Sequence, residues 1–250
     1  MEKKDYVVEY PENDCILDQN EEFIFVCMDT EKEKYRLHDY DRFYEVPGLY
    51  EEVVYDHLKC ASPEKVCGLL KDEIKNGHRG SNGLRILDFG AGNGIVAETL
   101  KEKLDIDIVV GVDIIPEAKT AADRDRPGVY NAYYVMDLAN MDDTDKYKLE
   151  KWRFNSLVTV AALGYDDIPT HAFLNAFNML EEGAWVAFNI KDRFLSEEDD
   201  SGYGKVLSGM FGESLELKQN EHYCHRMSLA GEPLHYNAIV GIKTSDVTIS

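Results

Sequence analysis

The chain has 250 residues, of which 44% are hydrophobic and 30% charged, a globular composition long enough for one α/β domain with an appendage. Its 27 basic and 48 acidic residues leave a net charge of −21, which repels nucleic-acid backbones and anionic membranes, and no basic patch offsets it. No run approaches the roughly 18 apolar residues of a membrane span, and the start MEKKDYVVEYPEND lacks the apolar core of a secretory signal. A cytoplasmic location and a small neutral or cationic substrate are expected, although acidity also serves plain solubility. The five cysteines, Cys15, Cys27, Cys60, Cys67 and Cys224, form no CxxC pair and read as free thiols; Cys60 and Cys67, two helical turns apart, are candidates to share a face.

Residues 1–46 read as an acidic extension packed on the main domain, with a buried strand at 23–28 (FIFVCM) and a pairing partner at 7–10. The domain proper is expected over 47–250. A helix follows from Leu49, with Val53, Val54, His57 and Leu58 on the same face. A second is expected to start with Ser62 as its N-cap, Pro63 in its first turn and Glu64 at the positive end of its dipole. It ends at Asn76-Gly77, before a loop at 78–83.

From Leu84 onward strands and helices alternate. Strands are predicted at 85–89, 108–112, 132–136, 157–163 and 184–190, and helices at 95–104, 116–123 and 169–180. A helix at 203–211 precedes two strands, 221–229 and 235–243, joined tightly enough by AGEP to form an antiparallel hairpin. The expected fold is α/β: a Rossmann-like, doubly wound, mostly parallel seven-stranded sheet with right-handed crossovers, finished by that hairpin.

The segment ILDFGAGNG at 86–94 carries the chemistry. A strand ends in an acid, three glycines follow at alternate positions, and a helix starts at once. Ligands of open α/β sheets bind beyond the carboxyl ends of the strands, where glycines let the ligand approach the backbone and the helix N-terminus offers free N–H groups. The dinucleotide fingerprint G-x-G-x-x-G is not met, because the third glycine, Gly94, comes one residue early. Asp88 before the loop would repel a pyrophosphate but attract an ammonium, so the loop suits an amino-acid zwitterion. Asp113 ends the second strand, where a carboxylate can meet two ribose hydroxyls. Asp137 ends the third, where it can accept from an adenine amine while the backbone beside Leu138 binds a ring nitrogen.

The stretches ILDFGAGNG, VGVDII and VMDL resemble the glycine-rich, ribose-binding and adenine-binding motifs of class I S-adenosylmethionine-dependent methyltransferases, over roughly residues 49–243. The resemblance implies S-adenosylmethionine as cofactor and S-adenosylhomocysteine as product. It places Asp88, Gly90, Ala91, Gly92, Asn93 and Gly94 at the methionine part, Asp113 at the ribose, and Ile114, Asp137 and Leu138 at the adenine. It also implies that Ala161, Ala162, Leu163 and Gly164, after the fourth strand, lie beside the sulfonium and open toward the substrate. The implied function is methyl transfer to a small molecule; a non-catalytic binder of the same fold, a protein methyltransferase and a nicotinamide oxidoreductase are the alternatives.

The fourth strand is followed by AALGYDD, without the N-P-P-Y or D-P-P-Y of adenine and glutamine methyltransferases, and no cysteine follows a proline as in cytosine C5 enzymes. No metal is expected. A hydroxyl or ammonium acceptor needs a base. Tyr165 and Asp166 have the best location, with Asp167, His171 and His38 as further candidates. His222 and His225, three apart on a strand, point to opposite faces and do not share a metal. The cluster Tyr35, Tyr40, Phe43, Tyr44 and Tyr50 reads as packing of the extension, with a lid over the cofactor as the alternative. The oligomeric state is left open.

Overall fold

The computed structural model describes residues 5–11, 17–77, 83–164, 167–196 and 199–248. Its N-terminal part is a three-stranded antiparallel sheet of β1 (Tyr6–Glu9), β2 (Phe23–Met28) and β3 (Glu31–Arg36), with β2 in the middle. Val7 sits opposite Cys27, so the expected pairing of these segments is present. β3 has no apolar alternation to announce it: only Tyr35 of EKEKYR is buried. Its pairing rests on a two-residue turn in which Asp29 takes φ +52°, a conformation aspartate tolerates better than most residues. Its lysines then cover the outer aromatics of β2, Lys34 over Phe23 at 3.7 Å and Lys32 over Phe25 at 4.4 Å.

The opposite side of β2 buries Ile24 and Val26, which pack with Tyr35, Phe43, Leu49, Val53 and Leu58 into a small separate core. Phe43 belongs to α1 (Tyr40–Glu45), and Val53 to a π-helical stretch, Glu51–His57, which lies within the helix expected from Leu49.

The main domain runs through α2 (Ser62–Asn76), β4 (Leu84–Phe89), α3 (Ile95–Lys103), β5 (Ile106–Asp113), α4 (Pro116–Asp125) and β6 (Ala132–Val135). It continues with α5 (Asp143–Glu150), β7 (Ser156–Thr159), α6 (Thr170–Asn178), β8 (Trp185–Lys191), α7 (Tyr203–Met210), β9 (Leu215–Met227) and β10 (Pro233–Lys243). The strands form one sheet of order β6-β5-β4-β7-β8-β10-β9. All neighbours are parallel except at β10, which is antiparallel to both β8 and β9. The strand order reverses between β4 and β7, which opens a crevice at their carboxyl ends. Alternate residues of each strand feed two cores, as the period of 2 requires. Ile86, Val109 and Val158 pack on Val66, Leu70 and Leu100 of α2 and α3, while Leu87, Val110 and Leu157 pack on Phe173 and Phe177 of α6 and Leu207 of α7. Each such fully buried side chain contributes about 1.5–3 kcal/mol.

Three local expectations need correction, and one helix lacks an apolar signal in the sequence. Ser62 does not cap α2: Ala61 holds that position, and the Ser62 hydroxyl is engaged by the Tyr223 hydroxyl at 2.6 Å and His225 Nδ1 at 2.5 Å. β7 stops at Thr159 rather than running to 163, because Ala161 turns into the left-handed region at φ +56°. α5 was hidden by its near-absence of apolar residues, with only Leu149 buried; its start is set by Asp142, whose side chain accepts the Asp145 N–H at 2.8 Å. Cys60 precedes α2 and so shares no helical face with Cys67; the described cysteines, Cys27, Cys60, Cys67 and Cys224, are free. The loop at 78–82 and Cys15 lie outside the described residues, none of whose helices is long and apolar enough to cross a membrane.

Candidate active site

A cleft of about 760 Å³ opens at the carboxyl ends of β4, β5, β6 and β7. Four segments that each follow a strand build its wall: Gly90, Asp113 with Ile114, Asp137 with Leu138, and Ala161. Tyr40, Tyr44 and Tyr50 of the N-terminal part complete it. The aromatic cluster therefore divides: Tyr35 and Phe43 pack the small core, and the other three face the cleft.

The glycine turn is held under the cleft by backbone bonds. The Gly90 and Ala91 N–H groups donate to Val112 O at 2.9 and 3.1 Å, and Gly94, at φ +87°, leads into α3. Close approach requires glycine at two of these positions. A Cβ on Gly90 would meet the Ala162 Cβ at 2.8 Å, and one on Gly92 would meet the Tyr44 hydroxyl at 2.6 Å. Asp88, Ala91, Gly92, Asn93 and Gly94 lie behind the lining wall rather than in it. The Asn93 side chain reaches away to Glu51 at 2.7 Å, which also pairs with Arg126 at 2.8 Å and so clamps the N-terminal part onto the turn.

The three acids sit in three different environments. Asp88 is fully buried; its Oδ2 accepts from the Tyr130 hydroxyl at 2.7 Å and its Oδ1 has no hydrogen-bond partner. Burial pushes its pKa up to about 7, with the Tyr130 bond opposing and the negative charge of Asp113 adding to the rise. Asp113 accepts from the Gly92 N–H at 2.9 Å and the Ile115 N–H at 3.0 Å, one bond per oxygen. Burial raises its pKa against these bonds, and each oxygen keeps a further lone pair for a ligand. Asp137 is held below the ordinary carboxylate range by the Asn140 amide and the Ala139 N–H, both at 2.8 Å. Ile114 is 59% exposed at the cleft, an apolar face available to a flat ligand.

A second cavity, of about 560 Å³, adjoins the first and shares Tyr40, Tyr50, Ala161 and Asp167 with it. Its wall comes from three distant parts of the chain: Gln19, Leu37 and His38; Val54, Leu58 and Cys60; and His225, Arg226 and Tyr236. Ala161 at the partition is fixed by the buried Asn189, whose Oδ1 accepts the Ala161 N–H at 2.6 Å. Asn189 Nδ2 donates to the Tyr223 hydroxyl at 2.8 Å and to Ser62 Oγ at 3.1 Å, which ties the partition to α2 and β9. A left-handed alanine held this way is stored backbone strain at a site. Arg226 and Glu22, both nearly buried, pair at 2.6 Å, and Glu22 also accepts the Leu229 N–H at 2.6 Å. Burial, with Arg226 and Lys191 nearby, lowers the His225 pKa far enough to keep it neutral.

Of the acid–base candidates, Tyr165 and Asp166 lie outside the described residues. Asp167 and His38, 129 residues apart, are brought together, with His38 Nδ1 3.4 Å from Asp167 Oδ1. His171 is exposed in the first turn of α6. His222 is exposed and His225 buried, as expected of opposite faces. Among the described residues no cluster of three or more His, Cys, Asp or Glu side chains could hold a metal. Sequence reasoning missed Tyr130, Tyr133, whose hydroxyl donates to Gly92 O at 2.8 Å, and Asn189. The run YNAYYVMDL offered aromatic content but no sign of which rings turn toward the glycine loop.

The strand order, the glycine turn after β4 and the acids after β5 and β6 are those of a class I S-adenosylmethionine-dependent methyltransferase. The chain belongs to the methyltransferase-domain family, whose sequence pattern it matches over residues 62–230. No curated protein sequence matches it. Among solved structures it is similar to the N-methyltransferase NodS from Bradyrhizobium japonicum WM9, with 16% identity and a TM-score of 0.50 over 78% of this chain and 99% of that one. Others are magnesium protoporphyrin IX methyltransferase from Synechocystis PCC 6803 with bound SAM (11%, TM-score 0.49, 73% and 79% covered) and ribosomal protein L11 methylase from Lactobacillus delbrueckii (18%, 0.46, 71% and 77%). At these identities the likeness speaks to the fold alone. The protein carries a methyltransferase domain, and its acceptor has to be argued from its own residues.

The residues present fit S-adenosylmethionine. The buried Asp88 Oδ1, without a hydrogen-bond partner, suits a ligand ammonium reached through water.

Proposed function

We propose that the chain methylates a small-molecule acceptor held in the second cavity. The observation that carries this reading is where that cavity lies. Its walls come from the N-terminal part and the C-terminal hairpin, and it meets the cofactor cleft at Tyr40, Tyr50, Ala161 and Asp167. The charge of −21 opposes a nucleic-acid strand at long range.

In this reading Asp113 takes the ribose hydroxyls with its remaining lone pairs, and Asp137 and Leu138 take the adenine over the exposed face of Ile114. Asp88 and the turn Gly90-Ala91-Gly92-Asn93-Gly94 hold the methionine part. The N-terminal residues 1–46, through Tyr40 and Tyr44, serve together with Tyr50 as a lid that keeps water from the reacting groups. S-adenosylmethionine supplies a methyl group already activated on a sulfonium. The chain's own contribution is then chiefly to position the acceptor and exclude water.

The test is methyl transfer from labelled S-adenosylmethionine in a cell extract separated at about 1 kDa, roughly ten residues' mass. The label should enter the small-molecule fraction. Label confined to protein or nucleic acid would sink the proposal, as would cofactor binding with no transfer to either fraction.

A further inference from the structure

We propose that the acceptor is a small amine, held as an ammonium at Asp167 and relieved of a proton by His38. This rests on the small-molecule reading above and names the class of substrate for the same cavity.

The charge of the cavity wall points to a cation. Its lining holds one arginine, Arg226, and that guanidinium is already paired with the buried carboxylate of Glu22 at 2.6 Å. The wall histidine His225 is neutral, and burial keeps the Cys60 thiol protonated. Lys191, outside the lining, donates to the wall's Gln19 Oε1 at 2.9 Å. Asp167 is the carboxylate of the wall itself, at the boundary between cavity and cleft. An ammonium finds a carboxylate that can accept a charge-assisted hydrogen bond, together with the rings of Tyr40 and Tyr50, whose π faces attract cations.

The chemistry then needs a base in the same place. An ammonium nitrogen has no lone pair and cannot accept a methyl group until it loses a proton. His38 lines the cavity, and its Nδ1 lies 3.4 Å from Asp167 Oδ1. In the Nδ1–H tautomer this contact is a hydrogen bond donated to Asp167, which leaves the imidazole lone pair on Nε2. The acceptor R–NH3⁺ gives one proton to that nitrogen and becomes R–NH2, while His38 becomes an imidazolium stabilised by the same carboxylate. One group thus both attracts the charged substrate and supports the base that discharges it. Lengthened contacts of this kind are common before substrate arrives. The Asp167 N–H donates to Gly164 O at 3.1 Å, which holds Asp167 beside the end of the β7 segment.

The test uses two probes of nearly equal shape, benzylamine and benzyl alcohol, titrated first into the full chain without cofactor and followed by ligand-detected NMR. Benzylamine should bind about tenfold more tightly, the worth of one charge-assisted hydrogen bond. Asp167→Asn, close to isosteric, should erase the preference, and His38→Gln should keep it. With S-adenosylmethionine added and an accepted amine, His38→Gln should lower kcat about 100-fold or more with little change in KM, as loss of a general base does. Added imidazole should restore part of the rate to His38→Ala. Equal binding of the two probes, binding of neither, a preference that survives Asp167→Asn, or a full kcat in His38→Gln would each overturn the inference. The labelling experiment separates the two levels. A labelled small molecule without a protonatable nitrogen removes the amine and leaves the small-molecule reading standing, whereas labelled protein removes both.

Discussion

Around the cofactor cleft the decisive side-chain bonds join residues near one another in the chain. Asp113 reaches Gly92 across 21 positions and Tyr130 reaches Asp88 across 42. Around the second cavity Ser62 meets His225 across 163 positions, Glu22 meets Arg226 across 204 and Gln19 meets Tyr236 across 217. The first region is assembled by successive βα units, each presenting its loop at the same sheet edge, so its parts sit at regular intervals along the chain. The second exists only where the N-terminal sheet, the start of α2 and the β9–β10 hairpin converge. A cofactor site shared by a family can therefore be carried by short motifs, while an acceptor site particular to one chain depends on elements that no short motif spans.

The comparison can be broken most sharply at Glu22. Glu22→Ala leaves Arg226 charged, buried and unpaired, and should cost about 3–5 kcal/mol in chemical denaturation. The double variant Glu22→Gln with Arg226→Met should recover much of it. If Glu22→Ala is neutral, the second cavity does not rest on this long-range pair.

On the cofactor side the largest effect is expected at Asp113. Asp113→Ala removes the carboxylate proposed to take the ribose and frees the Gly92 and Ile115 N–H groups, and should weaken S-adenosylmethionine binding in calorimetry by roughly 2–4 kcal/mol. Parent-like affinity would show that Asp113 holds the loop and not the ribose.

Asp88 and Tyr130 test the charge state behind the loop. The folded-state pKa of Asp88, about 7, lies above its ordinary value of 3.8, so the folded protein binds the extra proton. Its contribution to stability is therefore present at low pH and lost as pH rises from about 4 through about 7. Subtracting the melting profile of Asp88→Asn from that of the parent should isolate this fall. Tyr130→Phe should cost about 1–3 kcal/mol by leaving a buried carboxylate without its donor, and should move the fall to higher pH. A difference profile flat across this range would place Asp88 in a wetter setting than its burial indicates.

At Ser62 the effect is of the same order. Ser62→Ala should cost about 1–3 kcal/mol, because the hydroxyl is shared by Tyr223, His225 and Asn189 and its loss leaves buried polar atoms unpaired, with the circular-dichroism helix signal unchanged. A loss of helix signal would restore Ser62 to the capping role its sequence position implied.

Much of the fold was legible beforehand because its signals are local. A parallel strand buried on both faces reads as a short apolar run, as in ILDF and IVVGV, and the glycines and acids at the strand ends mark the site directly. β3 and α5 were illegible for the complementary reason. EKEKYR and DTDKYKLE bury one side chain each, so neither carries an apolar period, and they are held by a tight turn and a capping aspartate instead. Ser62 was misassigned because capping is a local inference, and the hydroxyl is claimed by partners more than 160 residues away.

The amino-acid sequence by itself determined the alternation of strands and helices, the glycine turn and the acids at the carboxyl ends of β4, β5 and β6, since each follows from hydrophobic period and backbone sterics within a few residues. Only the tertiary structure decided that Tyr130 would hold Asp88, that Tyr44 would close over Gly92, and that His38 would meet Asp167 beside a second cavity. Those contacts depend on how separate elements dock, and docking is set by the summed burial of whole faces rather than by any neighbour in the chain.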